Sequence, residues 1–203
     1  MIMVAISGAS GPVIGIRLIE ELLEAGETVA AVVSTPARRI IEYEILEDEA
    51  AYNGLAGLLA GRNNNCDLTR LTEYDNTDFF APAASGSSDL AAVVVAPCSM
   101  KTLAAIVHGY ADSLIVRACD VALKEKRQCL VVPRETPLNR IQAENIFRAA
   151  RAGIDILPPV PGFYTRPRTI EDVVDFIVGK ILTLLGKPHN LFPAWGTDSD
   201  KKS

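Results

Sequence analysis

The chain has 203 residues, 49% of them hydrophobic and 22% charged, which is the composition of one globular domain with a sizeable core and not of a disordered chain. A formal net charge of −5 and a pI near 5.1 exclude nucleic-acid binding through a general basic surface, so any anion must be held by a few placed cations and backbone amides. The 4 cysteines form no CxxC pair and there are only 2 histidines, so neither a structural zinc site nor a disulfide framework is expected, and no metal is assigned. MIMVAIS has no basic leader region, no apolar run reaches the length of a membrane span, and a reducing cytoplasm is the expected location.

In chain order, residues 1–6 read as a buried strand and SGASGPVIG as a turn, with Pro12 in the first turn of a helix. Apolar Ile16, Ile19, Leu22 and Leu23 alternate with acids along that helix, which Gly26 ends. Residues 28–33 form a second strand. Ser34 is placed as an N-cap and Pro36 as an early residue of a helix reaching residue 49. From Tyr52 to Ser88 the periodicity weakens: GRNNNCD and DFFAPAASGSSD read as loops. AAVVVA, residues 91–96, is a fully buried strand.

Helices are predicted over residues 100–107 and 112–126, a buried strand over 129–132, a helix over 139–152 and a short strand over 154–157. PPVPGFYTRPR is an irregular loop, and Thr169 caps a last helix that runs to Gly186. Apolar strands alternating with amphipathic helices predict a single doubly wound, Rossmann-like α/β domain, with one parallel sheet covered on both faces. In such a sheet ligands sit at the carboxyl ends of the strands, where every polar loop of interest falls.

SGASG suits an anion held by a glycine turn and a helix N-terminus, but it is neither GxGxxG nor a Walker loop, and plain turn chemistry explains it as well. PCSMKT repeats the arrangement after the AAVVVA strand, and two such turns favour a phosphorylated, nucleotide-like ligand. Cys98 lacks a base partner and reads as a small buried residue. KEKR, residues 124–127, alone would be a solvated helix end. PRETP is different: Arg134 and Glu135 stand at the end of a buried strand, either as a salt-bridged pair or as a phosphate-binding arginine beside a proton-transferring carboxylate. Tyr164 serves packing or a phosphate, and Lys180, in an apolar helix, needs an anionic partner or a route to water.

The order SGASG, APCSMKTLAAI, RACDVALKEKR, PRETPL, PPVPGFY and GKILTLLG resembles the UbiX/Pad-type flavin prenyltransferases, of the homo-oligomeric flavin-containing cysteine decarboxylase fold group. LKEKR and PRETPL carry the resemblance most specifically, and it extends from Met3 to about His189. It implies a flavoprotein domain over residues 1–186 with a partly flexible tail over 187–203. It implies transfer of a dimethylallyl group from dimethylallyl phosphate to N5 and C6 of reduced FMN, without a metal. The product, prenylated FMN, would serve a UbiD-type decarboxylase, and the assembly would be a dodecamer.

Carried onto matching positions, the resemblance places Gly8, Ala9, Ser10, Ser34, Ser99, Met100, Lys101, Thr102 and Arg117 at FMN. Lys124, Arg134, Tyr164 and Lys180 surround the dimethylallyl phosphate, with Glu135 in proton transfer and in ordering the phosphate. Glu44 works with Ser10 in late proton handling, and Phe79 or Phe80 lies over the allyl group. Position 180 is Lys where the family often has Arg, so the phosphate contact there cannot be bidentate. The alternatives are an FMN-dependent cysteine decarboxylase of the same fold group, whose catalytic histidine finds no counterpart in the early region here, and a flavin carrier without chemistry.

Overall fold

The computed structural model of the chain describes residues 1–47, 50–62 and 66–193. It divides into two compact units, Met1–Pro159 and Val160–Ser203, the division falling in the proline-rich loop. The first unit contains one six-stranded sheet in the order β3-β2-β1-β4-β5-β6, with every pairing parallel. The strands are β1 (Ile2–Ile6), β2 (Val29–Val33), β3 (Leu71–Tyr74), β4 (Ala92–Cys98), β5 (Gln128–Pro133) and β6 (Asp155–Ile156). The expected doubly wound parallel sheet is therefore found.

β1, β2 and β4 are buried at every position, as strands covered on both faces must be. The helices of this unit are α1 (Pro12–Glu24), α2 (Thr35–Glu44), α3 (Leu55–Arg62), α4 (Met100–Val107), α5 (Leu114–Lys124) and α6 (Arg140–Arg151). Val93, Val95, Leu103, Leu114, Ala118 and Val131 belong to one core cluster between the sheet and its helices. The second unit holds α7 (Ile170–Leu184), which opens on a capping box between Thr169 and Asp172.

Three elements differ from expectation. The segment of weak periodicity between Tyr52 and Ser88, where no element is expected, contains α3 and the edge strand β3. α2 ends at Glu44 instead of residue 49, because Glu47 takes a left-handed φ of 51° and the Glu42 carboxylate accepts the Tyr52 N–H at 3.0 Å, turning the chain back. Residues 48 and 49 of that expected helix, 63–65 of the asparagine-rich loop, and 194–203 of the expected tail lie outside the described residues.

The sheet reverses its direction of growth between β1 and β4, which pair in register from Ile2 against Ala92 to Ala5 against Val95. The loops leaving these two strands diverge to opposite sides and open a crevice at their carboxyl ends.

Candidate flavin and phosphate site

Ser7 follows β1 directly and is buried. Its hydroxyl donates to the Pro97 carbonyl at 3.0 Å and accepts the Ser99 N–H at 2.7 Å, while its own N–H donates to Pro97 O at 3.2 Å. One small side chain thus ties the turn after β1 to the turn after β4. Gly8 follows, and a Cβ there would stand 2.6 Å from Pro36 Cβ, so only glycine lets this turn approach the start of α2. Ser99 caps α4, accepting the Thr102 N–H at 3.2 Å and donating to Thr102 Oγ1 at 3.0 Å. The first turn of α4 carries N–H groups with no intrahelical partner and the positive end of the helix dipole.

These turns enclose a cavity of about 580 Å³, lined by Gly8, Ser34, Pro36, Asn76, Thr77, Ser99, Met100, Lys101, Thr102, Ala105, Asp112, Ser113, Ile115, Val116, Glu135 and Gln142. Of the residues expected at a flavin, Gly8, Ser34, Ser99, Met100, Lys101 and Thr102 come together here. Ala9 and Ser10 continue the Gly8 turn without lining the cavity, and Ala9 is buried. Ser34 also caps α2, accepting the Ala37 N–H at 3.3 Å, so its role as a cap is established beside its place in the wall.

Glu44 reaches back from the end of α2 and accepts the Gly11 N–H at 2.9 Å, which brings its carboxylate next to Ser10 in sequence. Glu135 lines the cavity just after β5, and its Oε1 accepts the Thr136 N–H at 3.0 Å. Arg134 is anchored by its N–H to Cys98 O at 3.1 Å, and its Nε is buried with no hydrogen-bond partner among the described residues. No salt bridge joins Arg134 to Glu135, whose carboxylate instead accepts the Thr136 N–H.

Two expected cations lie elsewhere. Arg117 donates to Ala84 O at 3.2 Å and pairs with Asp120 at 2.7 Å, fastening α5 to the 3-10 turn at residues 82–84. Lys124, at the far end of α5, pairs with Glu125 at 3.1 Å beside Gly86, and Arg127 donates to Gly86 O at 2.6 Å. α5 begins at the cavity with Ile115 and Val116 and ends at Lys124, about 1.5 Å further along for each residue. Within one chain Lys124 is thus at the amino edge of the sheet, the opposite edge from the crevice. Phe79 and Phe80 leave the loop after β3, 45% and 100% exposed, and neither lines the cavity.

In the second unit, the Tyr164 ring meets Phe176 edge-on with centroids 5.9 Å apart, and Lys180 Nζ lies 5.5 Å from the Phe176 centroid.

Sequence reasoning missed Ser7, Asn76 and Gln142. Asn76 holds the N-terminus of α5, accepting the Leu114 N–H on its carbonyl at 2.7 Å and the Ile115 N–H on Oδ1 at 3.2 Å. Gln142 is the N3 partner of Asn139 in the capping box of α6. The Asn-x-x-Gln spacing was a readable signal for it; Ser7 and Asn76 act through partners far along the chain. Cys98 is fully buried and burial pushes its thiol far up, which agrees with a small core residue and not a nucleophile. Among the described residues no group of His, Cys, Asp or Glu side chains is arranged to hold a metal ion, and no helix is long and apolar enough to cross a membrane.

Comparison with known proteins identifies the family and matches the fold. The family model described as Flavoprotein matches residues 1–182. The flavin prenyltransferase UbiX of Methanocaldococcus jannaschii is 43% identical over 196 residues, covering 97% of this chain and 98% of that protein. The crystal structure of AnUbiX (PadA1) in complex with FMN and dimethylallyl pyrophosphate superposes with a TM-score of 0.85 at 37% identity, covering 96% of each chain. A dodecameric FMN-dependent UbiX-like decarboxylase from Escherichia coli O157:H7 does so with a TM-score of 0.82 at 35% identity, covering 96% of this chain and 99% of that one. The chain belongs to the Flavoprotein family and, within it, to the UbiX flavin prenyltransferases.

Proposed function

We propose that this protein transfers the dimethylallyl group of dimethylallyl phosphate to N5 and C6 of reduced FMN, releasing prenylated FMN to a UbiD-type decarboxylase. The observation that carries the reading is Arg134, whose buried Nε has no partner while its neighbour Glu135 lines the cavity. An orphaned guanidinium nitrogen is a place for an anion, and a phosphate ester supplies one in the right valence. The walls fit a flavin phosphate as well, through the Gly8 turn and the first turn of α4.

Reduced FMN, when bound, supplies the nucleophilic nitrogen and carbon. The chain's residues do the rest. Arg134 holds the donor phosphate and offsets the charge that grows on its bridging oxygen as the allylic C–O bond breaks. Tyr164 and Lys180 are assigned to the same phosphate by their match to the family's motifs. Glu135 orders the phosphate and accepts the proton released from flavin C6 when the ring closes. Glu44, held on the Gly11 N–H, handles a late proton together with Ser10. Phe79 or Phe80 is assigned to the allyl cation by its match to the family's motifs, and since neither lines this chain's cavity its ring face would come from another copy.

The working form is a homo-oligomer in this reading, and the dodecameric relative supports it. Phe80 is fully exposed, and Tyr43, Ile141 and Phe147 are each more than half exposed, large apolar side chains that association could cover. Lys124 points the same way: at the amino edge it can reach a donor phosphate only in the crevice of another copy. Residues 1–186 form the catalytic domain. A reducing cytoplasm suits the four cysteines, all free thiols.

Adding the flavin product, freed of enzyme, to a UbiD-type decarboxylase that lacks cofactor tests the reading. Restored decarboxylation with dimethylallyl phosphate, and none with the donor omitted, is the expected result. Running the pyrophosphate in parallel identifies the donor.

A further inference from the structure

After α7 the chain turns back onto the helix. The Leu191 N–H donates to His189 Nδ1 at 3.4 Å, so in the neutral ring Nε2 carries the proton and donates to Thr183 Oγ1 at 3.0 Å. The Thr183 hydroxyl in turn donates to Gly179 O at 2.9 Å. Gly179 permits this contact: a Cβ there would come 2.5 Å from Phe192 Cε1 and 2.8 Å from His189 Cε1. Phe192 consequently packs on Phe176, ring centroids 5.0 Å apart.

Lys180 sits over this aromatic pair. Its Nζ is 5.2 Å from the Phe192 centroid and 5.5 Å from the Phe176 centroid, and it makes no ion pair among the described residues. The same Phe176 ring carries Tyr164 on its edge. Two residues assigned to the donor phosphate therefore rest on one ring, and a second ring closes on the lysine.

We propose that Phe176 and Phe192 are positioning residues that fix the Lys180 ammonium for the donor phosphate, the segment after α7 acting as the strap that brings Phe192 into place. The inference rests on the reading of Lys180 as a phosphate ligand. An aromatic face attracts an ammonium through its quadrupole, yet it neither neutralises the charge nor uses up the three N–H donors. A carboxylate partner would do both. An arginine at this position could fix its own orientation by a bidentate contact, whereas a lysine on its flexible stem cannot. The rings supply the orientation that the lysine lacks.

The test is the affinity of dimethylallyl phosphate, read by calorimetry on enzyme loaded with oxidised FMN so that no turnover occurs. Phe192→Leu keeps the apolar bulk and removes the ring. It is expected to weaken the donor by about threefold to tenfold, to leave FMN affinity unchanged, and to be rescued by Phe192→Tyr. In a Lys180→Ala background the same change is expected to have no further effect. A donor affinity that Phe192→Leu leaves intact while Lys180→Ala weakens it overturns the positioning role and spares the phosphate reading. Equal losses from Phe192→Leu and Phe192→Tyr also overturn it, since packing alone would then explain them. Lys180→Ala without effect on the donor removes the lysine from the site and this inference with it.

Discussion

Ser7 accepts the Ser99 N–H at 2.7 Å across 92 residues of chain, and that bond ties the turn after β1 to the turn after β4. The donor comes from the N-cap of α4, and the same hydroxyl returns its proton to Pro97 O. Ser7→Ala strips the part-buried Ser99 N–H of its acceptor, which costs about 1–3 kcal/mol. Urea unfolding should show that loss, and FMN affinity should fall with it, because the turns are no longer tied. An unchanged midpoint and unchanged affinity would mean that the turns hold themselves.

Glu135 lies in the cavity wall without a cationic side-chain partner among the described residues. Glu135→Gln keeps the shape and removes the base. FMN binding should persist while single-turnover prenylation slows by roughly a hundredfold or more. Turnover at the original rate would take Glu135 out of the mechanism.

Arg134 bears the buried, unpartnered Nε. Arg134→Ala should weaken dimethylallyl phosphate by about 1.5–3 kcal/mol, the worth of a hydrogen bond to a charged group. Arg134→Lys should recover part of the charge and none of the fork geometry. Calorimetry with donor and with FMN separates the two ligands, and an equal loss of both would contradict the assignment.

Cys98 is wholly enclosed, and burial raises its thiol above the ordinary cysteine value, which favours the neutral form. The rate should therefore show no thiolate limb as pH rises, Cys98→Ala should stay active, and iodoacetamide should spare Cys98 in the native protein. Rapid labelling at Cys98, followed by mass spectrometry, would contradict its burial.

Asp75 opens the loop that carries Asn76 and Thr77 into the cavity wall. The Thr77 hydroxyl and N–H, at 2.6 and 2.8 Å, hold its carboxyl below the 3.8 of an unperturbed aspartate. The folded value is the depressed one, so this support is present above 3.8 and is lost as the pH falls through the folded value. The carboxylate is in water, so the effect is local. The Thr77 amide resonance should move with a midpoint below 3.8, and a midpoint above it would reverse the sign.

The sheet was legible because burial on both faces leaves unbroken apolar runs such as VVVA in β4, and two helix starts were legible because Ser34 and Thr169 are side-chain caps whose signals are local. β3 was not, because LTEY is a half-buried edge strand with polar residues inside it. α3 was obscured by the two glycines of LAGLLAGR. In the site, Gly8, Ser34 and residues 99–102 could be found from turns that follow strands. Ser7 and Asn76 could not, since their roles are hydrogen bonds to residues dozens of positions away. The distance of Lys124 from the crevice was also invisible: LKEKR names a cation but not the edge of the sheet on which α5 leaves it.

The most direct test of prenyl transfer is the mass of the flavin. The purified protein is incubated without oxygen with FMN, a reductant and dimethylallyl phosphate, and the released flavin is weighed. A gain of one five-carbon unit, absent when donor or reductant is omitted, is the expected result. Unmodified FMN recovered from folded, flavin-loaded protein would contradict it.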